Sequence, residues 1–439
     1  MTNSADVVVI GAGIAGVSAA YYLTRDESAK VIVVDPRPPL SLTSDKSTEC
    51  YRNFWPSRDM VALTNRSIDL LEQLSEESDD YFALRQRGYL FVTADSDRLE
   101  ALTRQAATSS ELGMGPVRRH PGRQRYGPNS DGGDILTGKA LRAAFPFLTD
   151  RAVGALHVRR AGWFSAQQLG ALMLDRFKGA GGEVVVGEAA EILVSGGRVE
   201  GVGLSDGLVI GCGAVVVAAG PLTPRIAATA GLDLPLFSEL HLKVSFRDHL
   251  GVIPRDAPMI IWSDPQRLGW SESERAELAT QGRDDLLGEM PVFCHGRPEG
   301  GAESQYFVGL WEYHREVMEP VWPLPDDPLY PEVVMRGLAT MVPGLSVYLD
   351  HLPKSTVDGG YYTKTIENRP LIGPAGPEGL YLMTGLSGFG VMVSAAAGDL
   401  VAGHIQGRPL PDYADDFLLS RYRDPAYSEA AREVDEGQL

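Results

Sequence analysis

The chain has 439 residues, with 40 Lys+Arg against 58 Asp+Glu and a formal net charge of -18. That balance excludes a nucleic-acid binder working through a basic face, and a composition of 44% hydrophobic and 22% charged residues excludes disordered and fibrous classes. Cys50, Cys212 and Cys294 are too few and too scattered for a disulfide framework, a zinc site or a redox C-x-x-C pair, so a cytoplasmic location and no metal are expected. Single cores stop growing at roughly 250–300 residues, so two folding units are expected.

In chain order, Asp6 to Ile10 is a short β-branched run, the pattern of a strand buried on both faces of a parallel sheet. A helix over Ala12 to Tyr22 and a second buried strand, Val31 to Val34, complete a β-α-β unit that ends at Asp35. Apolar residues at helical spacing predict an amphipathic helix over Arg58 to Leu74, and a strand is expected over Gly88 to Thr93. His120 to Asp134, rich in Gly, Pro, Arg and Asp, reads as a loop. Beyond Gly162 come a helix carrying Leu169, Leu172, Met173 and Phe177, then strands at 183–186, 191–194, 198–204 and 214–218. Further strands are expected at 242–246, 259–262 and 306–311, with a polar segment, 263–290, between the last two; it is read as a lid, its rival being a surface helix packed elsewhere. Two apolar stretches, Val7 to Leu23 and Tyr381 to Leu400, are Gly-rich and read as buried elements, so no membrane span is expected. The acidic tail after Pro411 reads as a terminal helix or arm.

Gly11-Ala12-Gly13-Ile14-Ala15-Gly16 follows the first strand and opens the helix. There the first glycine permits a tight turn, the second admits a pyrophosphate, and the third lets helix and strand pack closely. The helix N-terminus offers free N–H groups to phosphates, and Asp35 would accept hydrogen bonds from the adenosine ribose. FAD and NAD share this ADP half. A second glycine loop, Gly385-Leu386-Ser387-Gly388-Phe389-Gly390, opens a small-residue helix near the C-terminus and could face a flavin edge that becomes negative on reduction. Its alternative is close packing of a buried helix.

Taken together, Val8 to Asp35, Ser44 to Arg52, Gly162-Trp163-Phe164, Val215 to Gly220, Thr365 to Gly373 and Gly385 to Gly398 occur in order over most of the chain. In these segments the sequence resembles the D-amino acid oxidase superfamily of flavoproteins, which includes glycine oxidase and sarcosine oxidase. The resemblance implies an α/β fold, in which a Rossmann-like FAD-binding domain (residues 1–80, 150–225 and 352–439) is interleaved with an α+β substrate domain (81–149 and 226–351) built on a mainly antiparallel sheet. It also implies oxidation of a C–N bond by hydride transfer to flavin N5, giving an imine that water hydrolyses. Carried over residue by residue, the FAD contacts fall on Gly11, Gly13, Ile14, Ala15, Gly16, Asp35, Pro36, Ser44, Ser47, Thr48, Ala219, Gly220, Arg369, Gly385, Gly388, Phe389, Gly390, Val391 and Met392.

Departures matter here. Where sarcosine-oxidase-like members attach the flavin through a cysteine, this chain has Gly360, so non-covalent FAD is expected. Tyr362 stands where related enzymes hold the substrate carboxylate with an arginine, and Met392 replaces a lysine. Arg52, among aromatics, is the leading candidate for a carboxylate anchor. Lys243 and His241 share one face of a strand, Trp311, Tyr313 and His314 cluster on another, and Lys364 reads either as a residue near the flavin or as a solvated turn residue. His241 or His314 would take the ammonium proton. The substrate is expected to be a small amine or amino acid, with oxygen or another carrier as electron acceptor. Rival readings are a flavin-dependent 2-hydroxy acid dehydrogenase and an NAD-linked or non-catalytic nucleotide-binding protein.

Overall fold

The computed structural model describes residues 4–25, 29–120, 131–301 and 303–427. Two sheets organise it. The strands Val7–Ile10, Val31–Asp35, Glu183–Val186, Ala214–Val217 and Leu380–Thr384 run parallel in one six-stranded sheet, with Leu371–Pro374 antiparallel at its edge. Val7–Ile10 lies in the middle, and its VVVI sequence is buried throughout, as a strand covered on both faces requires. Helix Ile14–Arg25 follows it and packs on Gly390–Gln406, so the two glycine-loop helices lie side by side. The contact is close because Gly398 sits against Ser18, whose hydroxyl donates to the Ser394 carbonyl at 2.7 Å. Although Ser387–Gln406 is apolar and long enough to cross a membrane, it is 72% buried within the protein.

The second sheet has nine strands, in the order 355–364, 237–247, 306–310, 294–299, 259–262, 89–93, 154–158, 133–137 and 117–120. Its pairings are antiparallel except those of Met259–Trp262 with Tyr89–Thr93 and of Val117–His120 with Gly133–Thr137. Helix Tyr330–Met341 covers one face and buries Val333, Val334, Leu338 and Met341 against it. The other face meets the glycine-loop domain.

Two strands belong to this sheet although the expected boundaries put them with the nucleotide domain. Ser355–Lys364 pairs with Phe237–Arg247 along its whole length, and Gly154–Val158 lies between 89–93 and 133–137. The strands at 133–137, 294–299 and 355–364 and helix 330–341 were not foreseen, since Gly, Pro and charged residues interrupt their patterns. The expected loop after His120 falls largely on 121–130, outside the described residues. After Pro411 the described chain forms short 3-10 turns at 414–417 and 419–423.

The lid expectation is overturned. Helix Glu272–Thr280 is capped by Ser271 and Glu274, and Leu268, Leu278, Leu286 and Met290 join the core under helix 330–341. Arg336 fastens it, lying 4.0 Å over the Trp270 ring and pairing with Glu274 at 2.5 Å. No residue of 263–290 lines either cavity described below.

Candidate active site

A cleft of about 570 Å³ runs along the carboxyl ends of the parallel strands, where this kind of sheet binds ligands. Gly11, Gly13, Ile14 and Ala15 line it, with Asp35, Pro36, Ser44, Ser47, Ala219, Gly220, Gly385, Gly388, Gly390 and Val391. Gly11 makes the tight turn at φ +107°, and a Cβ there would meet the Ala218 carbonyl oxygen at 2.4 Å. Gly13 faces only the Ser44 hydroxyl, 3.3 Å from where a Cβ would sit, and Gly220 faces open space. The carboxylate of Asp35 accepts from the Ala12 and Arg37 N–H groups, both at 2.8 Å, which fixes its orientation at the strand end. Ser44 Oγ accepts from the Ile14 N–H at 2.9 Å.

The cradle fits a dinucleotide. Thr363 and Thr384 also line it, and their buried hydroxyls have no hydrogen-bond partner among the described residues. The fit rests on the glycines, because Gly13 and Gly220 leave the backbone open for a pyrophosphate to approach.

At the inner end of the cleft lies a cavity of about 40 Å³. Tyr362 and Gly388 line both spaces and mark their junction. The cavity walls include Trp55, Tyr89, Met259, Phe389 and Met392, and its polar groups include Arg52, His295 and Glu312. Arg52 is buried, lies 4.5 Å over the Trp55 ring and 5.6 Å over that of Tyr89, and donates through Nε to the Phe54 carbonyl at 3.2 Å. His295 engages the Phe293 carbonyl through Nδ1 at 2.7 Å. Burial, chiefly, and the Arg52 charge hold His295 below the usual imidazole range, so it is neutral near pH 7.

Behind the cavity runs a buried chain of charges. Lys364 Nζ lies 3.1 Å from Glu239 Oε2, which lies 3.3 Å from His241 Nε2, and His241 Nδ1 lies 2.5 Å from Glu312 Oε1. Burial alone would lower the His241 pKa, but the carboxylates of Glu312 and Glu239 outweigh it and raise it. Glu239 would be raised by burial, yet His241 and Lys364 pull it down to about 2. Burial holds the Tyr362 phenol protonated far above its usual range.

Several expected residues lie elsewhere. His314 is 70% exposed beside Glu316 and lines neither space, because it falls beyond the end of strand Tyr306–Leu310. Trp311 and Tyr313 pack into the core under helix 330–341; the residue between them, Glu312, reaches the cavity. Lys243 lines neither space and instead donates to the Ser47 carbonyl at 2.8 Å. His241 backs the cavity without lining it. Among the expected cofactor contacts, Thr48, Phe389 and Met392 line the cavity rather than the cleft. Gly16 lies beneath the loop, where a Cβ would fall 1.9 Å from the Gly11 carbonyl oxygen. Arg369 pairs with Asp59 at 3.1 Å and tethers helix Arg58–Glu77. Glu312, His295 and Glu239 are additions that the sequence reading missed.

A glycine-lined nucleotide cleft joined to a small polar cavity defines a dinucleotide-dependent oxidoreductase. More particularly, the chain belongs to the FAD dependent oxidoreductase family (DAO), whose model matches residues 6–403, and FAD is therefore the dinucleotide. The chain is 24% identical over 249 residues, 56% of its length, to 4-methylaminobutanoate oxidase (formaldehyde-forming) of Paenarthrobacter nicotinovorans, and spans only 28% of that relative. Its fold is similar to L-proline dehydrogenase from P. horikoshii, with a TM-score of 0.74, 21% identity, and coverage of 98% of this chain and 99% of that one. Glycine oxidase from Geobacillus kaustophilus gives a TM-score of 0.75 at 17% identity, covering 96% and 99%.

Proposed function

We propose that the protein oxidises the C–N bond of a small amino acid or N-substituted amine to an imine, which water then hydrolyses. The observation that supports this reading is the adjacency at Tyr362 and Gly388, which line both the dinucleotide cleft and a cavity lined by Arg52, His295 and Glu312. Bound FAD supplies the hydride acceptor.

The rest falls to the chain's own side chains. Arg52, held over the Trp55 ring, offers a forked guanidinium to a substrate carboxylate. Hydride loss needs a neutral amine, and the ammonium proton passes to His295 Nε2, left available by the Nδ1 contact to Phe293. The Tyr362 phenol, kept protonated by burial, stands at the junction as a potential donor. Trp55, Tyr89, Phe389 and Met392 exclude water, which strengthens each polar contact inside. Gly360 leaves no sulfur for flavin attachment, and Thr43 packs 3.1 Å from where its Cβ would be, so FAD is held non-covalently.

Anaerobic addition of amino acids, N-methyl amines and 2-hydroxy acids to the yellow protein tests the reading. Bleaching by amines is expected; bleaching by 2-hydroxy acids alone would replace it with the hydroxy-acid alternative. Oxygen uptake in the same assay separates oxygen from another carrier as electron acceptor, and acid precipitation should release all of the flavin.

A further inference from the structure

Resting on the amine-oxidation reading, we propose that Glu312 is the group that recognises the substrate's nitrogen, binding it as a cation opposite Arg52, so that the cavity selects zwitterions over carboxylates lacking an amine. His295 pairs with Leu310 at the end of the strand, and both line the cavity; just past the strand, Glu312 lines it too while Trp311 turns into the core. The Glu312 side chain is only 9% exposed.

A buried carboxylate is costly unless it is held and compensated, and Glu312 is both. His241 fixes Oε1 at 2.5 Å, while Arg315, on the same segment, lies 3.3 Å from Oε2. Glu239 on the strand of His241 and Lys364 on the next strand complete the chain. Tyr362, His295 and, on the covering helix, Tyr330 lie within electrostatic range of Glu312. Such a network fixes one carboxylate at the wall of a cavity too small for a large ligand. A substrate ammonium reaching it would gain a charge-assisted hydrogen bond in a site closed to water.

The test uses the FAD-loaded protein, titrated anaerobically with glycine and proline and with their amine-free counterparts acetate and cyclopentanecarboxylate, and read by perturbation of the flavin absorption. Wild type should bind the amine-bearing ligands at least about tenfold more tightly, and Glu312→Gln should erase that preference while leaving the amine-free acids within about threefold. Equal binding of both ligand sets by wild type, or a preference that survives in Glu312→Gln, would overturn the proposal. Where Glu312→Gln fails to retain flavin, Arg315→Ala at the exposed rim is read instead. Removing that cation should raise the preference about threefold, and an unchanged ratio overturns the proposal. Which compounds bleach the flavin is a separate readout, so amine oxidation can fail while selection at Glu312 stands, and the reverse.

Discussion

His241 and Tyr362 lie ring against ring, 3.8 Å between centroids and 13° between planes. The imidazole is fixed edgewise by Glu239 and Glu312, so the phenol at the junction of cleft and cavity rests on a clamped surface. His241 is therefore a positioning residue, acting through Tyr362 and Glu312.

This clamp predicts a pH signature. The folded-state pKa of His241 is raised, so its contribution to stability is complete below about 6.5 and is lost as pH rises through the higher folded value. The melting-temperature gap between wild type and His241→Gln should therefore be widest at or below pH 6.5 and narrow above it. Glu239 behaves oppositely: depressed to about 2, it contributes fully above the ordinary value of 4.5 and ceases to as pH falls between them. The gap to Glu239→Gln should close over that acid window. Thermal melts of the three proteins across pH check both slopes, and a gap that does not vary with pH would remove the charged clamp.

Gly388 also packs against Tyr362. A Cβ at 388 would stand 2.3 Å from a ring carbon, and the ring is held in place by its stack on His241. Overpacking of this kind costs about 1–3 kcal/mol. Gly388→Ala should lower the unfolding free energy by that amount and weaken flavin retention, measured by denaturant unfolding and by flavin titration. Tyr362→Phe in the same background should not relieve the loss, since the clash is with ring carbons rather than the hydroxyl.

What the sequence made legible follows from how local each signal is. The unit from Val7 to Asp35 is written in consecutive residues, and its glycines are where a turn or close approach requires them. Glu312 was hidden because Trp311 and Tyr313 draw attention to the wrong face; Leu310 and Glu312 form the alternate set, and only the pairing with His295 shows which set meets the cavity. His295 lies in Cys294–Glu299, where Gly296 and Pro298 obscure any strand pattern. Arg369 shows the limit of motif transfer. It sits in a motif near the flavin segment, yet Asp59, far away in sequence, determines where its side chain goes.

Lys243 and Arg297 reach from the nine-stranded sheet to consecutive carbonyls of the loop that lines the cleft and the cavity. Lys243 Nζ donates to Ser47, while Arg297 Nε and Nη2 donate to Thr48 at 3.0 and 2.6 Å. Hydrogen bonds from charged donors contribute about 1.5–3 kcal/mol. Lys243→Met should therefore weaken FAD binding by about tenfold or more with little change in the substrate concentration giving half-maximal reduction, because Lys243 lines neither space. Arg297→Met should affect both, since Thr48 lines the cavity. Flavin titration beside reduction kinetics separates the two patterns, and a Lys243→Met effect confined to the substrate would contradict this role.

The glycines of the first loop should divide by what their missing side chains would strike. At Gly11 a Cβ would meet the Ala218 carbonyl oxygen at 2.4 Å, with φ at +107°, and at Gly16 it would meet the Gly11 carbonyl oxygen at 1.9 Å. Both obstacles are backbone in the central parallel sheet and its loop, which cannot yield without moving strands. Gly13 meets only a serine hydroxyl at 3.3 Å, so a side chain there would project toward the cleft. Gly11→Ala and Gly16→Ala should each destabilise the flavin-free protein by about 1–3 kcal/mol. Gly13→Val should leave the flavin-free unfolding free energy within about 0.5 kcal/mol of wild type and lower FAD affinity at least about tenfold. Unfolding curves of the flavin-free proteins together with FAD titrations decide it: if Gly13→Val loses stability as Gly11→Ala does, the glycine at 13 serves the fold rather than the pyrophosphate.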